Sequence, residues 1–285
     1  MDFTIERPGG RTVGVTDYGS PGDTAVLWCH GGPGSRREPA FLQDVARGAG
    51  LRIVGIDRPG YGMSTPQPGR TIAGWVPDAL AVADHLGIER FATVGVSTGG
   101  AYALAIAAIA PDRVIGAVPT CSMTDMRYEP ARATMSKPHA LDVWDAPDRD
   151  AAIAAATDAH GEGGSKMVGG GMNAALAPSD MATFRDPAWM GPAMEGFPEM
   201  FRFGLQGYAD DRIADGPGWV TFDVAAIRCP VVVLHGGLDK MVHVIHAEHT
   251  AAIVPGASVV IHPELGHFSI EDEVVPTIVR MLASV

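Results

Sequence analysis

The sequence has little of what several classes of protein require. Its 285 residues include only three cysteines, Cys29, Cys121 and Cys229, at wide spacings. An odd number so far apart predicts no disulfide framework and suits a reducing compartment. Acidic residues outnumber basic ones by 33 to 21. The chain therefore lacks the basic surface that nucleic-acid binding needs, and an anionic membrane would repel it.

Long apolar runs and a signal-peptide pattern are also missing from the sequence. The most apolar stretch, 101–110, is far shorter than the ~20 residues of a membrane-spanning helix, and residues 1–7 show no signal-peptide pattern. We therefore expect a cytoplasmic protein. Charged residues make up 19% of the chain against 46% apolar residues, a balance typical of a folded domain with a substantial core rather than of a disordered chain.

What the sequence does have is an alternation of short apolar runs with helical segments. Helical spacing of apolar residues marks 75–86, which Gly87 follows as a helix-ending glycine, and 100–110, which Pro111 stops. Strands alternating with helices predict βαβ units and a mostly parallel, doubly wound α/β sheet. The runs predicted to be strands buried on both faces are 25–29, 51–56, 91–96 and 114–118.

The pattern changes along the chain. Runs at 3–6 and 12–18 are too close together for a crossover helix and predict an antiparallel hairpin at one edge of the sheet. From 123 to 218 the β-branched runs disappear, and glycine breaks at 161–164 and 169–171 separate predicted helices. The remaining predicted elements are helices at 151–160, 194–206 and 242–253, strands at 230–234 and 257–261, and a terminal helix from about 271.

A serine motif follows the third of the early strands. Ser97 lies between that strand and a predicted helix, in the sequence Gly-Val-Ser-Thr-Gly-Gly. This G-x-S-x-G pattern in a strand–turn–helix setting indicates a nucleophile elbow. A serine on so sharp a turn needs glycine-sized neighbours, which Gly95 and Gly99 supply. The turn also places the N–H of Thr98 at a helix N-terminus, where developing negative charge is stabilised.

With this motif the chain resembles the α/β-hydrolase superfamily of serine hydrolases, and the resemblance covers nearly its whole length. It is similar in particular to the capped esterase and proline-iminopeptidase-like branches. The resemblance implies the α/β-hydrolase fold with a sheet of about eight strands, a core formed by 1–122 and 219–285, and a helical cap at 123–218. The serine at position 97 separates the chain from the dehalogenase and epoxide-hydrolase branches, which have aspartate there.

The resemblance extends to an oxyanion loop. His30-Gly31-Gly32-Pro33 follows the first of the early strands and is similar to the family's HGxP loop. By that similarity Gly32 would donate a second backbone N–H beside that of Thr98. Two fixed N–H groups aimed at one oxygen stabilise the tetrahedral intermediate of acyl transfer. Asp57, after the next strand, is expected to brace this loop by hydrogen bonds rather than to act as an acid.

The family also places an acid and a base on loops that follow later strands. Asp239 stands in Gly-Gly-Leu-Asp, similar to the family's G-x-x-D, and His267 follows a glycine before the terminal helix. The resemblance thus implies a triad of Ser97, His267 and Asp239, in which the aspartate orients the imidazole. Asp125 is the alternative acid, because some relatives place it after the preceding strand, and His262 is a weaker alternative base.

No metal or organic cofactor is implied, because such a triad works through an acyl-enzyme of its own. Three other histidines, His243, His246 and His249, recur every third residue in a predicted helix. This spacing spreads them over about a third of the helix surface, unlike the i, i+4 pair that helical metal sites use. We therefore expect a solvated helix face there.

Met, Trp, Phe, Ala and Gly dominate the predicted cap, which predicts an apolar pocket for a small-to-medium hydrophobic ester or lactone. A proline-iminopeptidase-like aminopeptidase or amidase is the alternative, but it would need a cap carboxylate for the substrate amine. The candidates for that carboxylate are Glu129, Glu162, Glu195 and Glu199. A carbon–carbon hydrolase or hydroxynitrile lyase with the same triad, a ligand-binding receptor of the same fold, and homo-oligomerisation all stay open.

Overall fold

One sheet organises the part of the chain that the structure describes. The computed structural model describes residues 1–20, 22–135, 140–168 and 176–284. The strands among them are β1 (Asp2–Arg7), β2 (Arg11–Asp17), β3 (Thr24–Cys29), β4 (Leu51–Ile56), β5 (Phe91–Val96), β6 (Val114–Thr120), β7 (Val232–Gly236) and β8 (Ser258–His262). These eight described strands form a single sheet in the order β1-β2-β4-β3-β5-β6-β7-β8.

Only β2 runs against the other strands. It pairs antiparallel with β1 and β4, and the remaining neighbours pair parallel. The predictions of a mostly parallel sheet and of an antiparallel edge hairpin are therefore confirmed. Because parallel strands end at the same edge of a sheet, the loops that carry Ser97, Asp239 and His267 all leave from that edge.

Some of the helices pack against the sheet, and a series of helices follows β6 in the chain. The described α-helices are α1 (Gln43–Gly48), α2 (Ile72–His85), α3 (Gly99–Ile109), α4 (Glu129–Arg132), α5 (Leu141–Trp144), α6 (Arg149–His160), α7 (Ser165–Val168), α8 (Pro178–Thr183), α9 (Pro187–Met200), α10 (Gln206–Asp215), α11 (Ile245–Ile253) and α12 (Val274–Ala283). A 3-10 turn, Ser269–Glu273, precedes α12 where the terminal helix was predicted to begin. No helix in the described ranges has the length and apolar character needed to cross a membrane.

The strands alternate their side chains between two hydrophobic layers, as β3 shows. Val26 and Trp28 pack into the layer that contains α1 and α12, whereas Leu27 and Cys29 pack into the layer that contains α2 and α3. All four side chains are fully buried. Because successive strand residues point to opposite faces, a strand without polar positions must be covered by helices on both sides, which makes the sheet doubly wound.

The segment predicted as a cap, 123–218, contains α4 to α10 and no strand among its described residues. The single helix predicted at 194–206 is wrong, because α9 and α10 replace it. Between them Gly204 has a φ of +64°, a left-handed conformation that glycine adopts easily and that turns the chain. The glycine break predicted at 169–171 lies outside the described residues, and the division into core and cap stays a prediction.

Two neighbouring residues on α12 give a matched test of the packing. Ile278 is fully buried in the layer that holds Trp28, whereas Val279 is 43% exposed. Ile278→Ala should lower the free energy of unfolding by about 2–5 kcal/mol, the usual cost of emptying such a site. Val279→Ala should change it by less than about 0.5 kcal/mol. Denaturant unfolding measures both values, and equal losses would contradict the assignment of the buried face.

Candidate active site

Ser97 occupies a strained turn between β5 and α3. Its φ is +52°, a left-handed conformation that costs a non-glycine residue about 1–3 kcal/mol. The backbone segments around it lie very close together. A Cβ on Gly99 would lie 1.9 Å from the Cys29 carbonyl oxygen, and one on Gly95 would lie 2.1 Å from the Gly99 carbonyl oxygen. The turn leaves Ser97 half-buried between buried neighbours, so its side chain remains accessible.

Asp239 and His267 lie together, on the loops after β7 and β8. His267 Nδ1 is 2.7 Å from Asp239 Oδ2. The aspartate is fixed in turn, since its Oδ1 accepts hydrogen bonds from the N–H groups of Met241 at 2.8 Å and Val242 at 2.9 Å. Both side chains are buried. Because an ionised carboxylate only accepts hydrogen bonds, Nδ1 carries a proton, and in the neutral ring Nε2 is the nitrogen without one.

Burial and charge act in opposite directions on this pair. Burial disfavours the charged ring, but the Asp239 carboxylate outweighs it and holds the pKa of His267 well above its usual range. Burial likewise opposes ionisation of Asp239, but His267 outweighs it and lowers the pKa of that carboxyl. Each group therefore stabilises the charged form of the other, which is what a base that becomes an imidazolium requires.

Ser97 is not joined to this pair by a hydrogen bond in the described structure. The His267 ring instead has the Cys121 thiol within hydrogen-bonding reach on the loop after β6. Cys121, Asp239 and His267 each place one possible metal-ligand atom within 4.8 Å of the others, the one such group in the described residues. Burial raises the pKa of Cys121 to about 11, so without a metal the thiol stays protonated at neutral pH.

The loop after β3 brings Gly32 next to Thr98. A Cβ on Gly32 would lie 2.7 Å from Thr98 Oγ1, and neither residue's N–H donates to an acceptor in the described part of the chain. The preceding residue, Gly31, is held on both sides. Its N–H donates to Glu38 at 2.8 Å, and its carbonyl accepts from Arg58 at 2.8 Å. The two free N–H groups therefore belong to neighbouring residues, one on the firmly held loop after β3 and the other on the turn after β5.

Two carboxyl groups interact with His267 through their charge, the half-buried Glu38 and the buried Glu271. Burial raises the pKa of Glu38 to about 7. Burial and the neighbouring charge of Glu38 raise the pKa of Glu271 well above its usual range. Two adjacent carboxyls that resist ionisation together hold fewer than two negative charges at neutral pH, which limits their influence on the imidazole.

The rival candidates lie elsewhere. Asp125 accepts from the Arg127 Nε at 3.0 Å and makes no contact with His267 among the described hydrogen bonds. His262 lies 3.8 Å from Glu273. The structure therefore places Asp239, and not the alternative acid Asp125, beside the His267 ring. The alternative base His262 lies near Glu273 instead.

Asp57 lies next to the loop after β3, in the position expected of a brace. Its Oδ1 accepts from the Arg36 N–H at 2.7 Å and its Oδ2 from the Met63 N–H at 2.8 Å. Burial raises the pKa of this fully buried carboxyl to about 6. Asp57 thus ties two chain segments together behind the site.

The expectation of a solvated face for the three spaced histidines is wrong for His246. It is fully buried, and its Nδ1 accepts from the Thr124 N–H at 3.1 Å. His249 stacks on Tyr128 with ring centroids 3.8 Å apart, and His243 precedes α11. His246 and His249 thus pack against other residues, whereas His243 is exposed as expected, and the three form no metal-binding group among the described residues.

Asp180, on α8 of the segment predicted as a cap, holds the loop that carries His267. Its carboxylate accepts from the N–H groups of His267 at 3.1 Å, Phe268 at 3.0 Å and Ser269 at 2.9 Å. The side chain is fully buried. No motif pointed to it, because an aspartate near a proline at a helix start is ordinary capping chemistry, and its partners lie far along the chain.

Two more residues of the segment predicted as a cap lie on α10, and no sequence motif indicated them. Asp211 binds Arg58 at 2.8 Å, and Arg212 donates to Thr98 Oγ1. Both are buried. Helix α10 therefore contacts the loop after β4 and the turn after β5, whereas α8 contacts the loop after β8.

Comparisons with known proteins find relatives along most of the chain. The family model described as alpha/beta hydrolase fold matches residues 24–274. A probable proline iminopeptidase from Leptolyngbya boryana is 33% identical over 113 residues, which are 38% of this chain and 34% of that protein, so the chain spans about a third of its length. A 2-hydroxymuconate semialdehyde hydrolase from Pseudomonas putida is 27% identical over 274 residues, which are 91% of this chain and 85% of that protein.

A solved structure shows the same architecture. A thermophilic esterase from Thermogutta terrifontis, with malate bound, has a TM-score of 0.72 and covers 100% of this chain and 98% of its own, at 21% identity. At that identity the likeness shows the fold alone.

Replacing Asp239 should separate the two influences on His267. In Asp239→Asn the carboxylate that raises the pKa of His267 is gone and burial, which lowers it, remains. The pKa of His267 should then fall from its raised level, as measured by NMR titration of the ring. Asp125→Asn is the matched control, because Asp125 pairs with Arg127, and it should leave the titration unchanged. An equal shift in both variants would contradict the pairing.

Proposed function

Because the chain belongs to the α/β-hydrolase family, we propose that it is a serine hydrolase that cleaves a small-to-medium hydrophobic ester or lactone. In this proposal Ser97 is the nucleophile, His267 is the general base, and Asp239 is the acid that orients the base. The backbone N–H groups of Gly32 and Thr98 bind the oxyanion.

The observation that carries the proposal is the 2.7 Å contact between His267 Nδ1 and Asp239 Oδ2, at the sheet edge where Ser97 stands on its strained turn. With Nδ1–H bound, Nε2 can take a proton, and a serine hydroxyl is a poor nucleophile until a base removes its proton. Catalytic hydrogen bonds in ligand-free enzymes are often long and tighten with substrate. The absence of a hydrogen bond between Ser97 and His267 in the described structure is therefore compatible with these roles.

The reaction would proceed in two halves. Ser97 Oγ attacks the substrate carbonyl carbon while His267 takes its proton, and the N–H groups of Gly32 and Thr98 stabilise the oxyanion. The imidazolium then gives the proton to the leaving alcohol oxygen as the C–O bond breaks. Water, deprotonated by His267, hydrolyses the acyl-enzyme and frees Ser97.

Aromatic side chains beside His267 support an apolar substrate. The Phe268 ring centroid lies 5.2 Å from that of His267, and those of Phe184 and Trp189 lie 4.9 and 6.0 Å from that of Phe268. All three aromatic residues are half-buried, so part of each ring is open to a ligand. Burying apolar surface against them gains about 25 cal/mol per Å².

An aminoacyl substrate has less support. Of the cap glutamates that could bind its ammonium, Glu199 is paired with Arg36 at 2.7 Å. The others are exposed: Glu129, Glu162 and Glu195. The buried guanidinium of Arg212 contacts Thr98 beside the proposed oxyanion site and would repel an ammonium held there.

A carbon–carbon hydrolase is the second candidate. The observation that favours it is the similarity over 91% of this chain to the Pseudomonas putida 2-hydroxymuconate semialdehyde hydrolase. Assaying an activated diketone beside an aryl ester separates the two candidates. A higher kcat/KM for the diketone would contradict the esterase proposal and support carbon–carbon cleavage by the same residues.

Removing the proposed nucleophile should abolish turnover and keep the fold. Ser97→Ala should lower kcat for an aryl ester by at least ~10³-fold, with an unchanged circular dichroism spectrum. Ser122→Ala, at a buried serine just after β6, is the matched control and should stay active. A serine-directed phosphonate should label Ser97 alone by mass spectrometry. Labelling elsewhere would refute the assignment.

A pair of aryl esters that differ only in charge tests the substrate class. One carries a cyclopentanecarboxyl group and the other a prolyl group, which has nearly the same shape and an ammonium. Burying that ammonium without a carboxylate costs several kcal/mol. The ratio of kcat/KM should therefore favour the neutral ester by at least about tenfold. A ratio that favours the prolyl ester would support the iminopeptidase alternative.

A further inference from the structure

Asp211, on α10, binds four side chains that lie outside the cap segment. Arg58 donates to it at 2.8 Å, and Tyr61 and Tyr102 donate at 2.7 and 3.0 Å. Arg70 completes the set at 2.5 Å. Burial opposes ionisation of this carboxyl, but Arg58 and Arg70 outweigh it and hold its pKa well below the usual range. Asp211 is therefore a fixed anion that sets the position of the Arg58 guanidinium.

Arg58 in turn holds the loop after β3. Its Nη2 donates to the Gly31 carbonyl oxygen at 2.8 Å, and its Nη1 donates to the His30 carbonyl oxygen. The peptide between Gly31 and Gly32 is trans, so its C=O and N–H point in opposite directions. Fixing the Gly31 carbonyl therefore fixes the direction of the Gly32 N–H. A cation on the carbonyl also polarises the peptide and makes that N–H a stronger donor.

Arg212, the next residue on α10, contacts the residue that supplies the other donor. Its Nη2 donates to Thr98 Oγ1 and lies 3.5 Å from the place that a Cβ on Gly32 would take. The buried guanidinium is bonded to Asp215 at 2.7 Å and flanked by two aromatic rings centred 5.2 Å away. Its charge thus lies in low-dielectric surroundings beside both residues of the proposed oxyanion hole.

We propose that Asp211 and Arg212 are positioning residues for the oxyanion hole, each acting on one of its two donors. Asp211 acts on the Gly32 N–H through Arg58, and Arg212 acts on Thr98. The hole then reaches full strength only while α10 is docked against the loops after β3 and β5. This inference rests on the proposed function, because it requires that Gly32 and Thr98 bind an oxyanion.

A purely structural role for these side chains makes a different prediction. Contacts that only dock the cap would affect thermal stability and substrate binding and leave the chemical step unchanged. A positioning role lowers kcat, because the oxyanion forms after the substrate has bound. Loss of a positioning residue should also weaken the binding of a trifluoromethyl ketone, because the adduct of this ketone with Ser97 places an oxyanion in the hole. Across the variants, the loss of ketone affinity should be proportional to the loss of kcat/KM.

The test compares Arg212→Met with Arg212→Lys, each checked for folding by circular dichroism and thermal melting. Arg212→Met should lower kcat for an aryl ester about 10- to 100-fold, less than the ~10²–10³-fold cost of losing an oxyanion donor itself, while KM changes less than about threefold. Arg212→Lys should restore part of the loss, because it keeps the charge. Arg149→Met is the matched control. Arg149, on α6, pairs at 2.6 Å with Asp210 of α10, the helix that also carries Arg212. Loss of the Arg149 guanidinium should leave kcat within about twofold.

Two more variants test the separate halves of the proposal. Thr98→Val keeps the backbone N–H and the side-chain shape but removes the hydroxyl that Arg212 holds. Combining it with Arg212→Met should therefore cost little beyond the larger single loss. Arg58→Lys keeps a cation for Asp211 but loses the planar fork that holds two carbonyl groups, so kcat should fall there too.

A folded Arg212→Met protein with the wild-type kcat and ketone affinity would overturn the proposal. So would a loss confined to KM and melting temperature. Failure of the proposed function has a different signature, since Ser97→Ala would then keep the activity of the wild type.

Discussion

The close approach of three backbone segments at the start of α3 is the constraint on which the site depends. Gly95 and Gly99 let β5 and α3 pack directly against the chain that leaves β3, and the turn between them puts Ser97 in a left-handed conformation. The strain persists because the sheet holds the turn, with the Ser97 N–H donating to the Thr120 carbonyl at 2.9 Å. The loops after β3, β7 and β8 leave the same edge of the sheet as a serine whose backbone cannot relax.

Buried charge in this molecule fixes geometry rather than adding stability. Arg58, Arg70 and Arg212 are removed from water and face Asp211 and Asp215. Dehydrating such ions costs several kcal/mol each, and pairing offsets that cost only when the contacts are well aligned. Hydrophobic side chains could fill the same volume, but they could not donate the hydrogen bonds that orient a backbone carbonyl group or the Thr98 hydroxyl. The charges therefore matter for what they orient.

Most of the fold and the main candidate residues could be predicted because each depends on local sequence. The bounds of β4 and β5 match the apolar runs that define them, and Ser97, Asp239 and His267 each stand in a short motif just after a strand. Asp180 and Asp211 could not be predicted, because their hydrogen-bond partners lie far along the chain. The break between α9 and α10 was missed because apolar residues continue across it.

The carboxylate of Asp180 has a consequence for how such a chain can change over evolutionary time. It comes from the cap, yet three consecutive N–H groups of the loop that carries His267 donate to it. An insertion that only covered a site could be exchanged for another without harm to the chemistry beneath. The segment between β6 and β7 supplies part of the scaffold under the imidazole, so a foreign segment grafted there would also displace the His267 ring. The sequence of this segment and the position of the ring therefore have to change together.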